Sequence, residues 1–376
     1  MTQHRLGILA VYYNKNRLEE LSFYRKLSKY GNQIGLRVEV FTPGDFMSRN
    51  KVKVRIYDEK TDKWLCKQTT VPPLIYDRCR YHGVTTYRLL KAFRKKYHDL
   101  SYISKPLVNK WRMHHLLTEN EDIQTFLPPT QKYNCISSLV AFVKKHKIVY
   151  AKPKNGTGGR GILRIEQISK RTYTIQGRNQ QRQILTPLRL TEKQFAEKLN
   201  SLSLNGDYII QKGIPLTLKD GRVHDYRLLI QKNGSGDWEI TGCAGRIGPQ
   251  KSITSNLHGG GTAIRMESLL QERFTSKEKV VKIKHKLGGF AHDLAVFLEN
   301  KFGKLCELGI DIAIDPKGKI WLLEVNPKPS RDVFRRIGLK ETYRNAITRP
   351  LEYAKWLLNQ DKKASTKSIQ PLELLE

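Results

Sequence analysis

The sequence has 376 residues, of which 39% are hydrophobic and 27% charged, and its formal net charge is +33. This length is enough for two or three domains with packed cores, and the composition excludes a wholly disordered or collagen-like chain. The excess of basic residues lies mainly in the first 200 positions. The positive electrostatic potential of such a chain attracts polyanions, including nucleotides, nucleic acids and acidic polymers, without selecting one of them.

The five cysteines are far apart and form no C-x-x-C pair, which argues against a disulfide framework or a zinc knuckle. No stretch has 18 consecutive apolar residues, and the apolar run at 6–11 is too short for a secretory signal. We therefore predict a cytoplasmic protein with no membrane span.

Residues 1–105 are predicted to form an N-terminal α/β domain. The apolar pattern indicates a strand at 6–13, a helix at 16–30 and a strand at 35–41. This order is typical of a βαβ unit with parallel strands. A hairpin over 52–67, a strand at 74–77 and a helix at 85–97 are predicted to follow. We place the boundary before Pro106, because proline disfavours helix at the preceding residue.

Two further α+β regions are predicted at 106–212 and 213–355, followed by a tail at 356–376. The first contains helices at 108–118, 137–146 and 191–201, and strands at 147–151, 161–166, 172–176 and 208–212. The second contains strands at 225–231 and 238–245, a long helix at 277–301 and a hairpin over 309–325.

Two carboxylates are predicted to face each other on this last hairpin. If its turn is centred on 317–318, Asp311 lies opposite Glu324, and Asn326 lies on the same face. Two carboxylates and an amide oxygen suit a hard cation such as Mg²⁺, with phosphate oxygens completing its shell. The alternative interpretation is a solvated polar face.

A glycine-rich loop follows the strand that ends near Lys152. It contains Gly156, Thr157, Gly158, Gly159 and Gly161. Glycines allow backbone N–H groups to approach phosphates closely, and Lys152 is placed to neutralise phosphate oxygens. The loop lacks the G-x-x-x-x-G-K-[ST] pattern and leads into a strand, so it is not a Walker A motif. A surface loop without a ligand is the alternative.

Several further residues are candidate ligands. Lys110 opens a helix, Asn256 precedes three glycines at 259–261, and Arg227 and Arg246 lie on strands, where a guanidinium can bind a carboxylate or phosphate bidentately. Each of them could instead be an ordinary surface group. The strand at 208–212 ends in a glycine break, where an adenine could pair with the backbone of Gln211, Lys212, Gly213 and Ile214.

Taken in order, these motifs resemble the ATP-grasp superfamily of carboxylate–amine ligases over about 105–330. The whole chain resembles the YheC/YheD family of endospore-coat-associated ATP-grasp proteins, through the segments at 6–9, 73–78 and 327–330. The resemblance implies an ATP-grasp fold, in which two α+β subdomains clasp ATP, preceded by a βαβ-type pre-ATP-grasp domain. It also implies a spore-coat or mother-cell context and spore-coat protein partners.

The activity implied by the resemblance is ADP-forming ligation of a carboxylate to an amine through an acylphosphate, with ATP and Mg²⁺ or Mn²⁺. Lys110, Lys152 and the glycine loop would hold the phosphates, the 211–214 segment the adenine, and Asn256 would lie in the substrate loop. The implied metal ligands are Asp311, Glu324 and Asn326, and Arg227 or Arg246 would stabilise developing charge. No side-chain nucleophile is required.

Two residues depart from other ATP-grasp ligases. Gln211 stands where a glutamate is frequent, and Lys328 adds a cation that we expect near the phosphates. The net charge of +33 exceeds what one nucleotide requires, so we expect an amino acid, an acidic peptide or an acidic polymer as acceptor. Two alternatives remain, a catalytically retired structural coat protein and a nonspecific nucleic-acid binder. No helix-turn-helix, RRM signature or basic heptad region indicates specific nucleic-acid recognition.

Overall fold

The computed structural model describes residues 4–14, 17–80, 83–156, 158–202, 204 and 206–367. Thr157, a predicted phosphate ligand, lies outside the described residues. The described chain forms two six-stranded sheets, one five-stranded sheet and one two-stranded sheet. None of its described helices is both long and apolar enough to cross a membrane.

The N-terminal region contains the first six-stranded sheet. In chain order its elements are β1 (His4–Leu9), β2 (Tyr12–Asn14), β3 (Arg17–Leu18), α1 (Leu21–Gln33), β4 (Leu36–Phe41), β5 (Lys51–Asp58), β6 (Lys63–Thr70), β7 (Leu74–Asp77), α2 (Gly83–Lys96) and β8 (Tyr102–Ile103). The sheet order is β6-β5-β4-β1-β7-β8. β1 is parallel to β4 and α1 connects them, which confirms the predicted βαβ unit.

The predicted strand at 6–13 and helix at 16–30 have wrong boundaries. β1 ends at Leu9 and α1 begins only at Leu21, because β2 and β3 pair with each other between them. The sequence pattern missed this small pair because its residues alternate too briefly to be distinguished from the ends of the longer elements.

The second six-stranded sheet lies in the middle of the chain. Its region comprises α3 (Lys110–Leu117), α4 (Glu121–Gln124), β9 (Thr130–Lys132), α5 (Ile136–His146), β10 (Ile148–Pro153), β11 (Leu163–Ser169), β12 (Thr172–Arg178), β13 (Ile184–Thr191), α6 (Glu192–Ser201) and β14 (Tyr208–Lys212). The order is β13-β12-β11-β10-β14-β9. β13 was not predicted, because it is an edge strand with mostly exposed side chains and a proline.

The five-stranded sheet carries the carboxylates of the candidate site. Its region comprises β15 (His224–Lys232), β16 (Trp238–Ile247), β17 (Thr262–Arg265), α7 (Met266–Arg273), α8 (Lys277–Phe302), β18 (Glu307–Ile314), β19 (Ile320–Asn326), α9 (Asp332–Arg336) and α10 (Lys340–Lys367). The order is β17-β16-β15-β18-β19. The apolar face of α8, with Leu287, Phe290 and Leu294 buried, packs in one core with Leu228, Ile310 and other strand residues.

The register of the β18–β19 hairpin confirms that Asp311 lies opposite Glu324. Gly309 pairs with Asn326, so this end of the hairpin has the predicted register. Nearer the turn the register shifts by one residue, and Ile312 pairs with Leu322. A bulge therefore lies beside the paired carboxylates, a position where bulges commonly reorient side chains in functional sites.

Residues 356–367 continue α10 and do not begin a separate tail. Leu351, Ala354 and Leu358 of α10 are buried in the same core as Leu6 and Ile8 of β1. The polar composition after residue 360 suggested a tail, but the apolar residues before it anchor the helix to the N-terminal sheet. Residues 368–376 lie outside the described part of the chain.

A buried ionic network joins the N-terminal sheet to β18. The Glu307 carboxylate accepts hydrogen bonds from Arg78 Nη1 at 2.7 Å, from the Tyr76 hydroxyl and from Arg331. Lys328 Nζ donates to Asp77 Oδ1 at 2.6 Å and is only 7% exposed. The expectation that Lys328 adds a cation near phosphates is therefore wrong, since its charge is neutralised at this interface.

Candidate functional site

A cleft lies between the second six-stranded sheet and the five-stranded sheet. Eight of the predicted ligand residues line it, namely Lys110, Lys152, Gln211, Lys212, Ile214, Asn256, Asp311 and Glu324. Lys152 comes from the second six-stranded sheet and the two carboxylates from the five-stranded sheet, while Lys110 begins α3, whose Met113 and Leu117 pack in the core beneath the five-stranded sheet. Residues more than 200 positions apart are thus brought together around one space, whose lining combines these charged groups with apolar side chains, as ligand-binding clefts commonly do.

A row of charged residues crosses the five-stranded sheet at the floor of this cleft. Arg246 and Asp225 are cross-strand partners, as are Arg227 and Asp311, and Asp311 and Glu324. Arg227 donates two hydrogen bonds to Asp311, one of them to Oδ2 at 2.9 Å. Arg246 donates two to Asp225, both 2.7 Å long. Neither arginine lines the cleft, and both hold the carboxylates in place from the side.

Asp311 is the most deeply buried carboxylate of the row, with 5% exposure. Burial alone would raise the pKa of Asp311, but the charges of Arg227 and Arg246 outweigh it and lower that pKa below its ordinary value. Arg246 Nη2 lies 3.2 Å from Asp311 Oδ1. Asp311 is therefore ionised at neutral pH, as a metal ligand must be.

We expect Asp311→Ala to lower the free energy of unfolding by about 3 to 5 kcal/mol, because it leaves the buried Arg227 guanidinium without its carboxylate. Glu324→Ala should cost at most about 1 kcal/mol, because its Lys110 pair is partly solvated. Urea denaturation of the two variants measures the difference. Equal losses would contradict the assigned burial of the Asp311 pair.

Two lysines stand opposite the carboxylates. Lys110 Nζ lies 3.0 Å from Glu324 Oε1 and also donates to the carbonyl oxygen of Gly156, so it connects the acidic hairpin to the glycine loop. Lys152 Nζ donates to Gln211 Oε1 at 2.6 Å, and Gln211 Nε2 donates to Thr130 Oγ1 at 3.0 Å. The glutamine found at position 211 therefore positions Lys152 without neutralising it.

Burial lowers the pKa of Lys152 to about 8. The Glu324 carboxylate opposes this shift, while the neighbouring charge of Lys110 adds to it. At neutral pH Lys152 is mostly protonated but has no carboxylate of its own within ion-pair distance among the described residues. Such a poorly neutralised cation is suited to bind an anionic ligand.

The glycine loop adopts a conformation that only glycine reaches easily. Gly158, Gly159 and Gly161 have φ values of +65°, +79° and +63°. A Cβ atom at Gly159 would lie 3.0 Å from Asn256 Nδ2, so the loop also packs closely against the predicted substrate loop. The backbone of the glycine loop therefore lies directly against the Asn256 and Thr254 side chains of that loop.

The predicted adenine segment is only partly available to a ligand. The N–H groups of Lys212 and Gly213 donate to the carbonyl oxygens of Pro129 and Ile148, both at 2.8 Å. A Cβ atom at Gly213 would lie 2.4 Å from Ile148 Cγ2, so this glycine is required for close packing. Adenine pairing through those two N–H groups is therefore excluded in this conformation, while Ile214 still lines the cleft.

The described residues contain no cluster of three or more His, Cys, Asp or Glu side chains that could hold a metal by itself. The predicted set has two carboxylates and one amide, and Asn326 Nδ2 is buried without a hydrogen-bond partner. The two carboxylates and the Asn326 Oδ1 atom are oxygen ligands of the kind that Mg²⁺ prefers. The unpaired Nδ2 atom is a hydrogen-bond donor, so it suits an anionic oxygen such as that of a phosphate and not the cation itself. Asn326 does not line the cleft.

The cleft has further lining residues that the sequence analysis missed. Among them are His224 and Thr254, whose Nδ1 and Oγ1 atoms are buried without a partner. Burial, and next the charge of Arg273, lower the pKa of His224 to about 4, so its ring is neutral. The sequence offers one indication that His224 lies in the site, namely its position directly before the Asp225-Tyr226-Arg227 motif. Single lining residues such as Ile253 and Leu216 have no signal in the sequence.

Comparison with known proteins gives one family match. The family model described as YheC/D-like ATP-grasp matches residues 99–357. The chain is 28% identical over 375 residues to the endospore coat-associated protein YheC of Bacillus subtilis (strain 168), covering 98% of this chain and 99% of that protein. It is 27% identical over 297 residues to YheD of the same strain, covering 78% of this chain and 65% of that protein.

Solved structures are similar in fold at low sequence identity. D-cycloserine synthetase DcsG has a TM-score of 0.55 at 11% identity, covering 95% of this chain and 99% of that chain. The ATP-grasp ligase PsnB, complexed with minimal precursor, Mg and ADP, has a TM-score of 0.51 at 13% identity, and the match covers 92% of this chain and 98% of that chain. The predicted ATP-grasp fold of mixed α and β elements is confirmed.

Proposed function

Because this chain belongs to the YheC/D-like ATP-grasp family, we propose that it is an ATP- and Mg²⁺-dependent carboxylate–amine ligase. One observation carries the proposal. Lys110 and Lys152 line the same cleft as Asp311 and Glu324, with Lys110 bonded to both Glu324 and the glycine loop. This arrangement provides cations for a polyphosphate and carboxylates for the metal that accompanies it.

ATP would lie in the cleft with its phosphates beneath the glycine loop. Lys110 and Lys152 would bind phosphate oxygens, and the backbone of Gly156, Gly158, Gly159 and Gly161 would close over them. The adenine would lie against Gln211–Ile214 and the apolar lining, since the Lys212 and Gly213 N–H groups are already bonded. Asn256 would lie between the glycine loop and the acceptor.

The metal would be held by Asp311, Glu324 and Asn326, with Mn²⁺ as an alternative to Mg²⁺ for the same oxygen donors. When bound, this ion supplies positive charge that neutralises the phosphates. A carboxylate has about four lone-pair positions, so Asp311 can accept from Arg227 and still bind a cation. Arg227 and Arg246 would act as positioning residues that keep Asp311 ionised and oriented.

The reaction would proceed in two displacements. An acceptor carboxylate oxygen attacks the γ-phosphorus, and the bond to the β–γ bridging oxygen breaks as ADP leaves with the electron pair. The amine nitrogen then attacks the acyl carbon, the carbon–oxygen bond to phosphate breaks, and the nitrogen loses a proton to solvent. Lys110, Lys152 and the loop N–H groups stabilise charge on the transferring phosphoryl group.

The acceptor would be an amino acid, an acidic peptide or an acidic polymer. The net charge of +33 favours a polyanion over a neutral acceptor. The relatives named endospore coat-associated proteins support a cytoplasmic role in the mother cell or at the spore coat, with coat proteins as partners.

We expect Mg²⁺-dependent ADP release by the purified chain to be stimulated by a pool of amino acids or acidic peptides. A coupled assay with and without each pool, at two salt concentrations, measures this. Stimulation by an acidic pool that declines with salt supports both the ligase and the polyanionic acceptor. ATP that fails to bind would overturn the proposal and favour a retired structural scaffold.

A further inference from the structure

Three arginines surround the tip of the β12–β13 hairpin and the glycine loop. Arg178, Arg182 and Arg160 have no carboxylate within ion-pair distance in the described part of the chain. Arg178 is buried, and the other arginines that are buried in this part, Arg78, Arg246 and Arg331, all pair with carboxylates. None of the three lines the nucleotide cleft. The function proposed above assigns no role to them.

Arg178 is buried to an unusual degree for an unpaired arginine, with 2% exposure. Its Nη2 donates to Ser252 Oγ and to the carbonyl oxygen of Gly259, both at 2.9 Å. Its Nε has no hydrogen-bond partner. The guanidinium is therefore fixed against the 252–259 loop, which lines the cleft with Thr254 and Asn256, and it retains an unused donor.

Arg182 lies near enough to Arg178 for its charge to act on the Arg178 guanidinium. A Cβ atom at Gly158 would lie 2.6 Å from Arg182 Nη2, so the guanidinium packs directly on the glycine loop. Its Nε is also buried without a partner. Burial, and next the charge of Arg160, lower the pKa of Arg182, while burial and the charge of Arg182 lower that of Arg178.

Like charges that are partly desolvated repel, and each of these guanidiniums has a donor that no described group satisfies. Both costs fall when an anion binds between them. The function proposed above already assigns Lys110 and Lys152 to the nucleotide phosphates. The planar guanidinium of an arginine can bind a carboxylate through two parallel hydrogen bonds, which the ammonium group of a lysine cannot do.

We propose that Arg178 and Arg182 form a carboxylate-binding subsite for an acidic acceptor, next to the nucleotide cleft. This inference rests on the proposed ligase function and specifies which residues recognise the acceptor. The subsite would bind a carboxylate other than the one that is activated, so an acceptor with at least two carboxylates would be favoured. Arg160 would contribute long-range attraction from the exposed loop.

The test uses the full chain loaded with MgADP and two probes, acetyl-triglutamate amide and acetyl-triglutamine amide, in isothermal titration calorimetry at 0.15 M salt. The wild type is expected to bind triglutamate at least about tenfold more tightly than triglutamine. Arg182→Gln should remove most of this preference and leave the MgADP affinity unchanged. Arg189→Gln, an exposed arginine on β13, is the control with the same change of charge and should alter neither affinity.

Arg182 is preferred to the fully buried Arg178 for this test because its replacement is less disruptive to folding. Equal wild-type affinities for the two peptides would overturn the subsite while leaving the ligase proposal intact. A loss of MgADP affinity in Arg182→Gln would also overturn it, since the cluster would then be a phosphate contact of the nucleotide. A wild type that does not bind MgADP would overturn both proposals.

Discussion

Glu324→Gln is expected to lower Mg²⁺-dependent ADP formation by about 10²- to 10³-fold, while the folded chain keeps its stability. Glu324 faces Asp311 across the hairpin and contacts Lys110 of α3 at 3.0 Å. The amide keeps the size of the side chain but removes the charge that a cation requires. Stability should change by less than about 1 kcal/mol because the lost ion pair is partly solvated.

The matched control is Glu299→Gln. Glu299 pairs with Lys232 at 2.8 Å, and both side chains are about as exposed as those of the Lys110–Glu324 pair. Glu299 does not line the cleft. Initial rates over a range of Mg²⁺ concentrations, together with thermal unfolding, separate the two variants. Full activity in Glu324→Gln would refute the assigned metal site.

Lys152→Met is expected to weaken MgATP binding by about tenfold to a hundredfold at pH 7, because it removes a partly desolvated cation from the phosphate side of the cleft. The pKa of Lys152 is lowered to about 8 in the empty cleft, so its charge is present below pH 8 and is lost above it. Wild-type affinity should therefore fall as pH rises from 7.5 to 9.5. This decline should be absent in Lys152→Met.

Lys154→Met provides the comparison for this lysine. Lys154 follows the same strand, is similarly buried, pairs with Asp207 at 3.5 Å and does not line the cleft. Nucleotide titrations of the three proteins at pH 7.5, 8.5 and 9.5 measure the effect. A wild-type affinity that does not change over this range, or a pH-dependent decline that persists in Lys152→Met, would show that another group provides the phosphate contact.

The features of the site that depend on residues close together in the sequence could be predicted. A hairpin with its turn near the Lys-Gly pair was predicted, as was the pairing of Asp311 with Glu324. The strand that leads into the glycine loop follows from an apolar run ending in glycines. Next to the turn, however, Ile314 pairs with Ile320, a register that would place Leu323 opposite Asp311. The bulge between Asp311 and Ile312 shifts the pairing by one residue and brings Glu324 opposite Asp311, and the sequence pattern did not predict this bulge.

Features that depend on distant partners could not be predicted. Lys328 follows the metal strand in sequence, yet its charge is neutralised by Asp77 of the N-terminal sheet, about 250 positions earlier. Arg227 and Arg246 were expected to face the reacting groups, but their guanidiniums bind Asp311 and Asp225. Whether an arginine contacts a ligand or a carboxylate depends on the sheet register, which local periodicity does not determine across three strands.

The arginine cluster and the C-terminal helix also depend on partners that are distant in the sequence. Arg178 and Arg182 are unremarkable in a chain with 68 basic residues, and only the fold reveals that they are buried without carboxylate partners. α10 was missed because its polar residues obscure the apolar positions that pack on β1.

The most direct test of ATP-dependent carboxylate activation follows oxygen from the acceptor into phosphate. The purified chain would be incubated with MgATP and a pool of amino acids and acidic peptides whose carboxylates carry ¹⁸O, and the released phosphate analysed by mass spectrometry. The account predicts that each phosphate formed in acceptor-dependent turnover carries one oxygen from a labelled carboxylate. Phosphate released without label during such turnover would contradict an acylphosphate and, with it, the proposed ligase.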